Sequence, residues 1–193
     1  MVRDVYKVLI AGEGGQGIQA LAHTLAKAAF DAGLNVVYLP NFGVEQRGGV
    51  SLGFLQFGKG VIGFPRFTKA DIIVNMRDRA IDRVNEYVGD ETLYIYDSDL
   101  ITGFELRDVA AEKIAIPATS TATNKLSPAV FNMVLAGALL TEIPVLTTKV
   151  VEQALEQQFG KKYLKQPQLR SLNIKALEIG ARLAKEAYSS EAS

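Results

Sequence analysis

The array Gly12, Gly14, Gly17 stands directly after the apolar run Lys7 to Ala11 (KVLIA) and directly before a stretch of helical periodicity. This placement constrains the fold more than any other feature. A continuous apolar run that ends in glycine reads as a strand buried on both faces. From Ile18 to Ala32 the apolar residues Ile18, Leu21, Leu25, Ala28 and Ala29 share one helical face, with Gln19, His23 and Lys27 opposite. Gly33 is placed to end that helix, and Val36 to Leu39 supplies the next strand. Strand, tight turn, helix and strand at this spacing form a βαβ unit, which demands a sheet with helices packed on it.

The rest of the chain keeps that alternation. Val50 to Phe57, Asp71 to Met76, Thr92 to Tyr96 and Lys113 to Ile116 read as strands, and Lys59 to Pro65 as a turn with a short extended piece. Arg77 to Val88 reads as an amphipathic helix with Ala80, Ile81, Val84 and Val88 inward. Ser127 before Pro128 is a helix start, and Ala129 to Leu140 is apolar on nearly every side. Val150 to Phe159 and Ser171 to Tyr188 follow as helices, joined by the basic link Gly160 to Arg170. No internal repeat or dividing linker interrupts the pattern. The expectation is a single α/β domain over 1–188, a Rossmann-like, doubly wound, mostly parallel sheet with helices on both faces, and a flexible tail at 189–193.

Composition removes several chemistries. None of the 193 residues is cysteine and one is histidine, His23. The chain alone therefore offers no disulfide, thiolate nucleophile or iron-sulfur ligation, and no multi-histidine metal site. Lysine plus arginine balance aspartate plus glutamate at 21 each, which gives no general attraction to nucleic acid or anionic membrane. The start of the chain lacks the pattern of a secretory signal, and no run approaches the roughly 20 apolar residues of a membrane span. A soluble, cytoplasmic protein is expected. Hydrophobic residues nonetheless make up 48% of the chain, and part of that surplus would suit a subunit interface.

The glycine array admits three readings. A G-x-G-x-x-G turn brings backbone close to a phosphate at a helix N-terminus. A nicotinamide dinucleotide also calls for an acidic residue at the end of the second strand, and here that end is Tyr38, Leu39, Pro40, Asn41. The other readings are a purely structural turn, and a loop that meets a phosphate-bearing ligand or a partner subunit. Phe42 to Gly49 (FGVEQRGG) joins an acceptor, Glu45, to a bidentate donor, Arg47, followed by Gly48 and Gly49, whose backbone can approach another surface. An exposed loop with an incidental ion pair fits the same residues. Thr119 to Lys125, including Thr119 and Asn124, is a polar run at the expected carboxyl edge, suited to an anion or to an ordinary turn. His23 lies on a polar helix face, and Tyr94 and Tyr96 have the spacing of packed strand residues.

Together, Gly12-Glu13-Gly14-Gly15-Gln16-Gly17 and Leu39 to Gly49 (LPNFGVEQRGG) resemble the gamma subunit of the 2-oxoacid:ferredoxin oxidoreductases. Asn132 to Ala138 (NMVLAGA) is similar to that family's buried helix and Asn173 to Gly180 (NIKALEIG) to its closing helix, so the resemblance spans nearly the whole chain. The family's second loop commonly has a polar residue, tyrosine and proline where this chain has Asn41, Phe42 and Val44. The resemblance implies a cytoplasmic multi-subunit enzyme that decarboxylates a 2-oxoacid on thiamine diphosphate with Mg2+ and passes electrons through [4Fe-4S] clusters to ferredoxin. It releases CO2 and acyl-CoA from coenzyme A. The thiamine diphosphate and clusters belong to alpha, beta and delta partner subunits, so this chain holds no tight cofactor, no metal and no catalytic residue of its own. Nucleic acid and membrane are not partners. Gly12, Gly14, Gly15, Gln16, Gly17, Glu45, Arg47, Gly48, Gly49, Thr119 and Asn124 are the candidate ligand or interface residues. 2-Oxoglutarate is favoured over pyruvate, branched-chain oxoacids and indolepyruvate. The competing readings are a stand-alone NAD-type Rossmann oxidoreductase and a non-catalytic scaffold subunit.

Overall fold

The computed structural model describes residues 3–42 and 49–191. Strands β1 (Val5–Glu13), β2 (Asn35–Asn41), β3 (Val50–Gly58), β4 (Ile72–Asn75), β5 (Leu93–Asp97) and β6 (Glu112–Ile116) form one sheet in the order β2-β3-β1-β4-β5-β6. β1, β4, β5 and β6 pair in parallel, whereas β3 runs antiparallel to both of its neighbours, β1 and β2. The sheet is therefore mixed, and the expected βαβ unit is split, because β1 and β2 point the same way with β3 between them. The cause is the link 42–49, shorter than the roughly dozen residues a parallel crossover needs. It turns β3 back from the edge where β2 ends.

The two faces of the sheet are covered differently. On one side α1 (Ile18–Asp31), α3 (Ala118–Lys125), α4 (Phe131–Thr141), α5 (Thr148–Lys165) and α6 (Gln168–Glu191) build the larger core, with Leu21, Leu25, Val134, Leu135 and Leu177 among its buried residues. On the other, a 3-10 turn at Asp78–Ala80, the short α2 (Ile81–Asn85) and irregular segments cover Leu9, Phe54, Ile73 and Tyr94. There Phe54, Phe67 and Tyr87 meet edge to face with centroids 5.1 to 6.3 Å apart. The Arg66 guanidinium lies over Phe54 and Tyr87.

α4 and α6 touch through their backbones. A Cβ on Gly137 would lie 2.1 Å from the Leu177 carbonyl oxygen, and one on Gly180 would lie 1.8 Å from that of Val134. Glycine at both crossing points lets the axes approach, so any side chain there forces the pair apart. α4 is thereby a rigid mount for whatever it presents at its ends.

Several local outcomes differ from the sequence expectation. α1 ends as expected: Gly33, at φ 77°, donates to Phe30 O while Leu34 donates to Ala29 O, which is a Schellman closure. The helix expected over 77–88 contracts to the 3-10 turn and α2, although Ala80, Val84 and Val88 are still buried. Thr119 to Lys125 is part of α3, not a loop. α5 continues through Gly160 to Lys165, because Phe159 and Tyr163 keep packing inward, so the link to α6 shrinks to Gln166 and Pro167. α6 is described through Glu191, into the stretch expected as a tail. No helix among the described residues is long and apolar enough to cross a membrane.

Candidate functional site

β1, β2, β4, β5 and β6 all end at one edge of the sheet, where open α/β folds place their ligands. The glycine loop there is held from three sides. Gln16 folds its side chain back, so that Oε1 accepts from Glu13 N at 2.7 Å and Nε2 donates to Met76 O at 3.4 Å. Gly12 makes room for it, since a Cβ there would lie 2.6 Å from Gln16 Oε1. Gly15 and Gly17 have φ of 101° and 81°, a region that side-chain-bearing residues rarely adopt. Gly14 N donates to Gly49 O at 3.0 Å, which fastens the end of the second loop to the first. Glycine is needed at Gly17 for space as well, because a Cβ would lie 2.5 Å from Asn132 Nδ2.

Beyond the loop lies a cavity of about 270 Å3 lined by Gly15, Gln16, Gly17, Ala20, Asn132, Phe159, Lys162 and Asn173, among others. The first turn of α1 forms one wall. Its leading amides have no acceptor within the helix, no side chain caps it, and it carries no acidic residue. Lys162 comes from the last turn of α5, and its ammonium pairs with no carboxylate among the described residues. Helix amides, a positive helix end and a lysine around one hollow suit a phosphate or carboxylate group. No nucleophile–base pair lines the cavity, so the arrangement is suited to binding.

Lys162, Asn132 and Asn173 were not singled out as site residues in the sequence. Asn132 and Asn173 are nevertheless anomalous, since each is polar and buried at 8% and 7% exposure. Asn132 Nδ2 donates to Gln16 O at 3.2 Å, and Asn173 Nδ2 donates to the Tyr163 hydroxyl at 2.8 Å. Burial pushes the Tyr163 phenol pKa up. A polar residue inside an apolar helix is a signal that the sequence carries. For Lys162, one of several lysines near that helix end, nothing in the sequence sets it apart.

The Thr119 to Asn124 run has a different setting. Asp97, at the end of β5 and fully buried, accepts from Ala118 N at 3.1 Å, from Thr119 N at 3.4 Å and from the Thr119 hydroxyl at 2.6 Å. Asp99 accepts from Ser120 N at 2.6 Å. The start of α3 is thus bound by two carboxylates of the chain itself, and Thr119 contributes its hydroxyl to that cap. Burial pushes the Asp97 carboxyl pKa up, against hydrogen bonds that lower it. Asn124 is exposed near the end of α3, away from the cap.

Glu45, Arg47 and Gly48 lie outside the described residues. Gly49 meets the glycine loop as stated. On the far side of that loop Glu13 pairs with Arg77 at 3.2 Å and with Arg79 at 3.9 Å. His23 is exposed, its Nδ1 3.3 Å from Gln158 Oε1, which is a surface contact between α1 and α5. Tyr94 is packed and accepts from Asn75 Nδ2 at 2.8 Å; burial raises its pKa. Among the described residues no cluster of acidic or histidine side chains could hold a metal ion.

Comparison with known proteins agrees with this architecture. The model of the pyruvate ferredoxin/flavodoxin oxidoreductase family matches residues 7–183. 2-Oxoglutarate synthase subunit KorC of Archaeoglobus fulgidus is 31% identical over 96% of this chain and 90% of its own length. Ketoisovalerate oxidoreductase subunit VorA of Methanothermobacter thermautotrophicus is 27% identical over 93% of this chain, which spans 36% of that longer protein. The crystal structure of a keto/oxoacid ferredoxin oxidoreductase gamma subunit from Geobacter sulfurreducens superposes with a TM-score of 0.78 at 25% identity, covering 94% of this chain and 99% of that one.

Proposed function

The chain belongs to the pyruvate ferredoxin/flavodoxin oxidoreductase family as a gamma-type subunit, and on that premise we propose that it serves a complex that oxidatively decarboxylates 2-oxoglutarate. The products are CO2 and acyl-CoA, with electrons passed to ferredoxin in the cytoplasm. The kinship to KorC, which is 31% identical over nearly the whole of both chains, supports 2-oxoglutarate. Thiamine diphosphate with Mg2+ is assigned to the alpha and beta partners, and the [4Fe-4S] clusters to cysteine-bearing partners such as a delta subunit, because a chain with no cysteine has no thiolates for clusters. This chain contributes binding and no covalent step.

The observation that carries the ligand role is the cavity where the uncapped start of α1 and Lys162 face one hollow. Its chemistry fits the anionic end of coenzyme A, held by helix amides and an ammonium. Arg47 is proposed to make a phosphate or carboxylate contact or an interfacial ion pair, in the segment that ends at Gly49, which is bonded to Gly14. A dinucleotide oxidoreductase is disfavoured on two counts. The end of β2 offers no acidic residue for a ribose, and the Gln16 carboxamide already takes the Glu13 amide.

The test is affinity purification of the tagged chain from its native host, with the recovered complex given a panel of 2-oxoacids, coenzyme A and methyl viologen. The expected result is recovery of partner subunits bearing the clusters, with viologen reduction fastest on 2-oxoglutarate and dependent on coenzyme A. A higher kcat/KM on pyruvate or a branched-chain oxoacid would overturn the substrate assignment. Tight NAD binding by the chain alone would overturn the subunit role.

A further inference from the structure

We infer that Asn132 is a positioning residue that sets the shape of the glycine loop for its ligand, an inference that rests on the coenzyme A reading of the cavity. Every other residue of α4 from Phe131 to Leu140 is apolar, and the helix is buried along almost its whole length. A buried carboxamide in such a helix costs stability unless it is hydrogen-bonded. Asn132 answers with one long-range bond, from Nδ2 to the carbonyl oxygen of Gln16, a residue 116 positions away in the chain.

That bond falls at the pivot of the loop. Gln16 is already fixed through its side chain to Glu13 N and Met76 O, so Asn132 supplies the constraint from the opposite side. The next residue, Gly17, is the positive-φ residue that starts α1, and Asn132 Nδ2 occupies the space its Cβ would need. Asn132 thereby fixes the peptide that leads into α1, and Gln16, Gly17 and Asn132 together line the cavity. Its own position is fixed in turn, because α4 meets α6 backbone to backbone at Gly137 and Gly180. This side chain ties the loop and the helix start to the α4–α6 pair.

The test uses Asn132→Ala and the isosteric Asn132→Asp, whose ionised carboxylate cannot donate to Gln16 O. In the full chain, amide hydrogen exchange at Gly14 to Gln19 should quicken by about five- to tenfold in both variants, the factor one ordinary hydrogen bond is worth, while exchange in the α4–α6 contact stays as in the wild type. In the assembled complex the KM for coenzyme A should rise with a much smaller fall in kcat. Combining Asn132→Ala with Gly17→Ala should cost less than the sum of the single changes, because the first removes the atom that the new Cβ would strike. Unchanged exchange in the loop overturns the positioning role, as does loss of protection spread over α4 and α6 together with full additivity. Faster loop exchange with an unchanged KM would keep the positioning role and refute the coenzyme A reading, so the two failures are distinguishable.

Discussion

Two helices begin on the carboxyl edge of the sheet, and they treat the same electrostatic demand in opposite ways. The start of α3 receives the carboxylates of Asp97 and Asp99, to which its amides and the Thr119 hydroxyl donate. The start of α1 receives no capping side chain and no acid in its first turn, and it faces a hollow that Lys162 also lines. A helix N-terminus carries about half a positive charge and several unpaired amides. Where the chain supplies its own anions, the end is closed and structural. Where it supplies a cation instead, the proposed partner is an outside anion. The Ser/Thr-rich run admitted an anion as well as an ordinary turn, and what decides its role lies in Asp97 and Asp99, some 20 residues earlier in the chain.

The contrast can be broken most forcefully at Asp97. Asp97→Ala strips the acceptors from Ala118 N, Thr119 N and the Thr119 hydroxyl and should destabilise the chain by about 2–3 kcal/mol, as read by urea denaturation at neutral pH. A structural cap also predicts that the KM for coenzyme A of the assembled complex is unaffected by this change. The milder Asp97→Asn keeps one carbonyl acceptor and removes the charge. Because burial raises the Asp97 pKa above the ordinary aspartate value, the folded state holds its proton to higher pH than the unfolded chain. The stability linked to this group is complete below the ordinary aspartate pKa and is lost as pH rises through the raised one. Between those values the wild type should lose stability relative to Asp97→Asn, and two parallel stability–pH curves would contradict the assignment. The smallest effect is expected at Asn124. Exposed near the end of α3, its replacement by alanine should change stability by less than about 0.5 kcal/mol and leave coenzyme A kinetics as they are.

The same pair of helix starts shows what the sequence could and could not say. The strand–glycine–helix unit and the Gly33 stop were legible because each rests on local chemistry within one turn of chain, as was the Ser127–Pro128 start, which opens a 3-10 turn at Pro128–Val130 just ahead of α4. The direction of β3 was also written in the chain, in the shortness of the 42–49 link, but an apolar run such as Val50 to Phe57 reads alike in either direction. α3 was hidden because threonines are poor helix formers and the groups that cap it come from β5 and the turn after it. The extension of α5 past Gly160 depends on Phe159 and Tyr163 finding the core, which local propensity cannot convey. In the candidate site, Gly12, Gly14, Gly15, Gln16 and Gly17 were found by motif, whereas Lys162 and Asn132 reach the cavity only through the packing of α5 and α4 on α1. Asn132 was marked by its polarity in an apolar helix, and Lys162 by nothing before the fold was known.

We propose that the open helix start and Lys162 receive the anionic end of coenzyme A in the assembled complex. The most direct measurement is the KM for coenzyme A of the complex carrying Lys162→Ala, with 2-oxoglutarate saturating and viologen as acceptor. The expected result is an increase of about tenfold, the size of one charge-assisted contact, with kcat nearly unchanged and partial recovery in Lys162→Arg. A KM equal to that of the wild-type complex would contradict it.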